Sequence, residues 1–457
     1  MIRRKGIVLA VILFAIILLP GLGAAKETQK SKVVPRVLTL RECIEMGLKQ
    51  NLNLKAFRYN IERAENLAKA AHADFFPKLR MQGTYRWIAN PVEITIPSIT
   101  IHTPFGPLTS PEKTVSQSAR NSGIWTTSVV QPLFTGGALT EQYTLAKLET
   151  KRETSDFENT RQALVEAIKA AYFELVKAQK VYHIAVKYAE QLEEHLRTAK
   201  AFLDESIIPL NDYLQSKVTL SNARLNVIKA KNGWKIAQSY LNLLLNRDIN
   251  LSIRPETDFP ITPLSHSLEF YQTLALRSRP DLESAKTRVA EARAAVRLAK
   301  SRYYPQVALS VNYRDLSDES LENDSASVMV TANWSIFEWN KRKWEVGAQR
   351  ARLEQAIIME SQRKQEILNE VKTAWLNVLE SYRRIQTIKD SVEQARENLR
   401  INKLRYQEQV ATSTDVIDAQ TLQLRTEVNL TIAKIDYLKA LAALEKAVGK
   451  PLKEDRP

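Results

Sequence analysis

Cysteine is almost absent from this chain: the 457 residues contain one, Cys43, so no disulfide framework can be drawn from them. Cys43 falls inside a helical pattern and suits a small core residue. Catalytic motifs are missing as well. There is no GxSxG elbow, no P-loop and no GxGxxG strand turn, and the five histidines, His72, His102, His183, His195 and His266, form no HExxH motif and no Cys/His cluster. His183 and His195 lie twelve residues apart on one helix. An enzyme has nothing here to attach to, and neither a cofactor nor a metal is expected. Past residue 25 no stretch approaches 18 consecutive apolar residues, which excludes a transmembrane helix.

The first residues do carry an apolar run. Arg3, Arg4 and Lys5 precede the segment from Gly6 to Leu19, and Gly23, Ala24 and Ala25 end it in a small-x-small pattern. Residues 1–25 therefore read as a secretory signal peptide cut before Lys26; at about 14 residues the run is too short to span a membrane. Net charge is +15, which raises the question of nucleic acid. The charges alternate in sign along helices, however, as in Lys187, Glu190, Glu193, Glu194, Arg197 and Lys200. That pattern marks a solvated helix face, and no nucleic-acid partner is expected.

The chain repeats itself. A shift of 228 residues lays Thr39 on Ser267, Leu54 on Leu282, Ala64 on Ala292, Phe75-Phe76-Pro77 on Tyr303-Tyr304-Pro305 and Tyr85 on Tyr313. A shift of 203 lays Phe134 on Phe337, Lys169 on Lys372, Leu196 on Leu399, Asp212 on Asp415 and Ala237 on Ala440. The difference is one insertion, the Pro-, Thr- and Ser-rich stretch from Asn90 to Ser118, whose composition predicts a surface loop. The resulting division is a signal peptide over 1–25, a first repeat over 40–253, a Pro-rich linker over 254–266 and a second repeat over 267–457, each repeat comprising a helix, a β-hairpin and a long helical hairpin.

Each repeat carries a seven-residue apolar seam. In the first it runs Leu164, Ile168, Ala171, Leu175, Ala178, Tyr182, Ala185, Ala189, Leu192, Leu196, Ala199 and Leu203; in the second, Ile367, Val371, Ala374, Val378, Ser381, Ile385, Ile388, Val392, Ala395, Leu399, Asn402 and Tyr406. A helix from Ala138 to Asp204 is roughly 100 Å long, longer than any compact domain. Asn211 and Thr414 are the expected N-caps of the returning helices, with Asp212 and Asp415 in their first turns. Those helices end at Asn246 and Gly449 and are half as long as their partners. Helices over Leu40–Phe76 and Leu268–Tyr304, stacked end to end on them, supply the missing half; Thr39 and Glu42 make a capping box for the first.

Past Pro77 and Pro305 the period changes to two. Leu79, Met81, Tyr85 and Trp87 alternate with Arg80 and Arg86, and Val307, Leu309, Val311 and Tyr313 alternate with Arg314. Trp125, Val328, Val330 and Trp334 belong to two further strands. Such strands with aromatics toward one end are the pattern of an outer-membrane barrel. The apolar set (Leu79, Met81, Tyr85, Trp87, Trp125, Val307, Leu309, Val311, Tyr313, Val328, Val330 and Trp334) is expected to face lipid, and Arg80, Arg86 and Arg314 the lumen. A sheet in hydrocarbon must close on itself and bacterial barrels start at eight strands, so four strands require self-association. Two copies would leave an interior filled by side chains, three a lumen.

These features resemble the TolC-like outer membrane efflux protein family over essentially the whole mature chain. They include the paired strand entries at Pro77 and Pro305, the strand exit Gln131-Pro132-Leu133-Phe134-Thr135-Gly136-Gly137 and the hairpin return Thr414-Asp415-Val416-Ile417-Asp418-Ala419-Gln420. The resemblance implies a homotrimer in the outer membrane, with a twelve-stranded β-barrel continued by a periplasmic α-barrel. It also implies hairpin tips that dock a periplasmic adaptor joined to an inner membrane transporter. On that analogy Ile207, Ile208, Pro209, Leu210, Asn211 and Asp212, with Val410, Ala411, Thr412, Ser413, Thr414 and Asp415, form the docking tip. The competing reading is a soluble periplasmic coiled-coil adaptor or structural protein, in which Trp87, Trp125 and Trp334 would pack inside a core.

Overall fold

The computed structural model describes residues 37–90, 93–116, 121–318 and 322–452; the expected signal peptide lies outside them. A short strand β1 (Val37–Leu38) precedes the first repeat, which runs α1 (Leu40–Gln50), α2 (Leu52–Ala73), β2 (Lys78–Trp87), β3 (Glu93–Ile96), β4 (Ile99–Thr103), β5 (Gly106–Ser110), β6 (Lys113–Ser116), β7 (Asn121–Phe134), α3 (Ala138–Asp204) and α4 (Leu210–Leu244). The linker carries β8 (Arg254–Pro255), and the second repeat runs α5 (Leu268–Ser278), α6 (Pro280–Ser301), β9 (Gln306–Asp318), β10 (Glu322–Asn333), α7 (Lys341–Gln407) and α8 (Ser413–Val448). Among the described residues no helix is long and apolar enough to cross a membrane.

The outgoing helices α3 and α7 are each 67 residues long. The seam predicted for the second is the buried face of α7: Ile367, Val371, Ala374, Val378, Ser381, Ile385, Val392, Ala395, Leu399 and Tyr406 are all buried, with Ile388 and Asn402 half-buried. In α3 the buried line drifts toward the tip, through Ala185, Tyr188, Leu192, His195 and Ala199. The expected Ala189 and Leu196 are only half-buried. The drift follows from packing, because α3 touches α8 as well as α4 and must bury a wider stripe than a two-helix seam.

The companion helices differ from expectation in one respect. The stretch from Leu40 to Phe76 is two helices, α1 and α2, broken at Asn51, and Leu268 to Tyr304 is broken at Arg279, the aligned position. In the first repeat the Asn51 side chain accepts the Leu54 amide (3.1 Å) and so caps α2; in the second, Pro280 opens α6. Each break marks the point where the second piece meets the end of the returning helix. Asn51 Nδ2 donates to the Leu244 carbonyl (3.0 Å), and Arg279 Nη1 donates to the carbonyl of Ala447 (3.1 Å), which aligns with Leu244. The half-length helices are thus stacked end to end, α2 beyond α4 and α6 beyond α8.

Arg279 does more than its counterpart. Its buried guanidinium also bonds Asp281 (2.9 and 2.5 Å) and Glu370 (2.8 Å), and Arg363 reaches the same Asp281 oxygen at 2.7 Å. Burial alone would raise the Asp281 pKa, but the bonds from Arg279 and Arg363 outweigh it and hold the carboxyl below its ordinary value.

The Pro-rich linker is docked. β8 pairs in parallel with β1, Phe259 packs edge-on against Phe173 (5.3 Å, 89°), and the Tyr172 hydroxyl donates to the Leu38 carbonyl (2.8 Å) while accepting the Glu256 amide (2.8 Å). Together with buried Cys43, Ile168, Leu241, Ile253 and Ile367, this forms the largest core cluster, midway along the helices. Burial pushes the Cys43 thiol up to about 11.

Strands β10-β9-β7-β2 form one antiparallel sheet, in that order. The β7–β9 pairing joins the repeats, leaving β2 and β10 as edges. The insertion between β2 and β7 is not an irregular loop. Its β3 pairs with β6 and its β4 with β5, a ribbon whose Thr95 and Thr114 hydroxyls (3.2 Å) and Thr100 and Thr109 hydroxyls (3.1 Å) bond across the strands. Alternation of Ile94, Ile96, Ile99 and Ile101 with threonine outweighs the loop-like composition.

Candidate functional site

Successive side chains of a strand point to opposite faces, and directly paired residues share a face. Met81 lies opposite Thr127, Thr127 opposite Tyr313, and Tyr313 opposite Ala326. That register collects Leu79, Met81, Tyr85, Trp87, Trp125, Val307, Leu309, Val311, Tyr313, Val328 and Val330 on one face. The Trp125 ring lies over Gly83, where an added Cβ would stand 2.8 Å from it. Arg80, Arg86 and Arg314 are on the other face, in rows with Ser128, Ser122 and Thr126.

Among the described residues nothing covers the apolar face: Leu79, Tyr85 and Val328 are each 73 % exposed. Trp87, Trp125 and Trp334 are exposed too, which contradicts their packing inside a soluble β-domain. Trp334 also corrects the expected extent of the last strand. β10 stops at Asn333, opposite Gln306, because β9 begins there and nothing remains to pair with. The Trp334 indole instead donates to the Tyr303 carbonyl (3.1 Å).

At the far end of the helices the two hairpins turn with the same geometry. Ser206 and Gln409, aligned residues, take left-handed φ of 57° and 61°, and the amides of Ile207 and Val410 bond back to Phe202 and Arg405 (2.8 Å each). The turns close without glycine. The N-caps are not Asn211 and Thr414 but Pro209 and Thr412, two residues earlier. Asp212 and Asp415 therefore stand at the third helical position, and Asp415 reaches back to the Thr412 amide (2.8 Å) while Thr412 Oγ1 accepts the Asp415 amide (3.2 Å). This capping box lowers the Asp415 pKa. Ile207, Pro209, Leu210, Asn211, Val410, Thr412, Thr414 and Asp415 are exposed, Ile208, Asp212 and Ala411 half-buried, and Ser413 buried.

Ser413 belongs to a cluster that the sequence did not reveal. Its hydroxyl meets His195 Nε2 (2.8 Å) from α3 and Ser216 Oγ (2.9 Å) from α4, and the Tyr406 ring of α7 lies 5.2 Å from the imidazole. Burial, and after it the Lys403 charge, push His195 down to about 4, so the ring is neutral at pH 7. All four long helices of the two hairpins meet here, which brings Ile207–Asp212 and Val410–Asp415 to one end of the molecule. The only sequence signal was the three-residue step from Leu192 to His195, off the expected seam.

Comparison with known proteins agrees with this architecture. The family model described as "Outer membrane efflux protein" matches residues 43–247 and 272–450. The outer membrane efflux protein BepC of Brucella suis is 21% identical over 345 residues, covering 74% of each chain. The alkaline protease secretion protein AprF of Pseudomonas aeruginosa is 21% identical over 339 residues, 72% of this chain and 70% of that one. Among solved structures, the outer membrane protein VceC of Vibrio cholerae superposes with a TM-score of 0.74 at 18% identity, covering 91% of this chain and 97% of that chain. The CmeC outer membrane channel of Campylobacter jejuni gives 0.75 at 17% identity, covering 91% and 87%.

Proposed function

This chain belongs to the outer membrane efflux protein family, and from that membership we propose that three copies close a twelve-stranded barrel in the outer membrane and continue it as an α-helical tube through the periplasm. As a family member it is a non-enzymatic channel. Substrates handed over by an inner membrane transporter and a periplasmic adaptor protein pass through it to the exterior.

The observation that carries the proposal is the open sheet. Among the described residues β2 and β10 have no outer partner, and one face is an exposed apolar surface. Unpaired backbone groups are not tolerated in hydrocarbon, so strands immersed there need further strands, and sister copies supply them. The helices support the same reading. α4 leaves Leu214, Val218, Leu225, Ile228, Ile236 and Leu243 exposed along one stripe, and α7 leaves Leu376, Ile401 and Leu404 exposed. Inside the chain α3 packs on α8; by the repeat relation α7 packs on α4 of the next copy, covering both stripes.

In the closed barrel Leu79, Met81, Tyr85, Trp87, Trp125, Val307, Leu309, Val311, Tyr313, Val328, Val330 and Trp334 face lipid, and Arg80, Arg86 and Arg314 line the lumen. The exposed residues among Ile207–Asp212 and Val410–Asp415 present the docking surface to the adaptor.

Reconstitution tests the proposal. The mature protein should require detergent, migrate as a heat-sensitive trimer and conduct ions in planar bilayers. A water-soluble, non-conducting monomer would overturn it.

A further inference from the structure

The internal seam between the repeats is a template for the seam between copies. Inside the chain the exit strand of the first repeat, β7, pairs with the entry strand of the second, β9. Carrying β7 onto β10 by the shift of 203, and β9 back onto β2 by the shift of 228, converts the pair Thr127↔Tyr313 into Val330 opposite the partner's Tyr85. Likewise Trp125↔Asp315 becomes Val328 opposite the partner's Trp87. Each pair keeps its side chains on the apolar face. Gln131↔Leu309 becomes Trp334 opposite the partner's Met81, so the strand that stops at Asn333 in the single chain continues once a neighbour supplies the pairing edge.

The foot of the two seams differs in one residue. At the internal seam Gly136 (φ 60°) fits because it has no side chain: a Cβ there would stand 2.5 Å from the Ser301 carbonyl oxygen and 2.7 Å from Tyr304 Cβ. The aligned residue in the second repeat is Trp339, which holds the same left-handed conformation (φ 47°) at the cost of strain in a bulky residue. The residue is 85 % exposed, its ring meeting Phe337 edge-on at 5.2 Å. Surrounding contacts fix the backbone at this point: Arg342 bonds the carbonyls of Ile336 (3.0 Å) and Arg302 (3.2 Å) and pairs with Glu338 (2.9 Å). The residue aligned with Tyr304 is Phe76, 55 % exposed.

We infer that Trp339 of each copy seats on the partner's Phe76, wedging open between copies a junction that glycine keeps closed within the chain. The inference rests on the reading that copies join edge to edge. Two exposed aromatic rings thereby cover each other, and internal and inter-copy junctions alternate around the ring as tight and wide.

The test is a cross-link in the assembled protein. In a Cys43→Ala background, Trp339→Cys combined with Phe76→Cys should oxidise to a ladder ending at three chain masses in denaturing electrophoresis, and neither single variant should. Should the double variant fail to assemble, benzoylphenylalanine in place of Phe76 alone, in oligomers mixed from light and heavy chains, should give on irradiation a mixed-isotope adduct to the Trp339 peptide. A trimer that forms but yields neither product, or an adduct only to acyl chains, overturns the inference and leaves the channel reading intact. Absence of any oligomer from the unsubstituted chain overturns both.

Discussion

The two repeats place the same backbone junction at residues 51 and 279 and secure it with different chemistry. Asn51 makes a neutral, half-buried amide bond to Leu244, whereas Arg279 is a buried cation tied to Ala447, Asp281 and Glu370. The tips show a similar asymmetry. α8 starts with a full capping box and α4 with Pro209, which offers no side-chain cap. His195 is buried against both hairpins, while its counterpart Asn398 is exposed. A repeated fold therefore fixes where a contact must be made and leaves its strength to the local side chains.

Removing each junction side chain tests this asymmetry most directly. Arg279→Ala leaves Asp281 and the Ala447 carbonyl short of a partner in a buried setting, and should cost about 3–5 kcal/mol. Asn51→Ala should cost about 1–2 kcal/mol as a lost cap and a neutral bond. Equilibrium denaturation of the detergent-solubilised protein checks the ranking; equal losses would mean that the ion network adds nothing.

Acid distinguishes the two repeats next. The unfolded chain protonates His195 near 6.5 and the folded chain only near 4, so the stability due to the neutral ring is complete above pH 6.5 and falls as pH drops toward 4. The full loss is on the order of 3 kcal/mol. His195→Asn, matching the second repeat, should flatten this slope between pH 6.5 and 4 in melting experiments.

The repeat relation was legible from the residues because both halves keep identical punctuation, and the α7 seam because nothing in its pattern competes with a simple heptad. The division of the sheet into an apolar face and a face carrying Arg80, Arg86 and Arg314 followed from period-two alternation. Three features were hidden for physical reasons. The break at Asn51 looks helical locally and is set by the Leu244 carbonyl, 193 residues away. The inserted ribbon is disguised by proline and serine flanking its Ile/Thr alternation. The His195 cluster arises only where α3 meets α8, which no single helix reports.

Smaller effects are expected at the tips. Thr412→Ala removes the capping box of α8 and should cost about 1 kcal/mol, seen as faster amide exchange in residues 413–416. Pro209→Thr supplies the missing cap opposite Asp212 and should slow exchange at the start of α4 by a gain of about 0.5 kcal/mol. No change in either segment would show that tip order is set by packing around Ser413 and Tyr406 instead.

The equal 67-residue lengths of α3 and α7 act as a matched pair of rulers. Deleting one heptad from α3 alone would shorten it by roughly 10 Å and leave one tip stranded a step above the other. Length variation in such a molecule is tolerable only in tandem, seven residues at a time and in both rods.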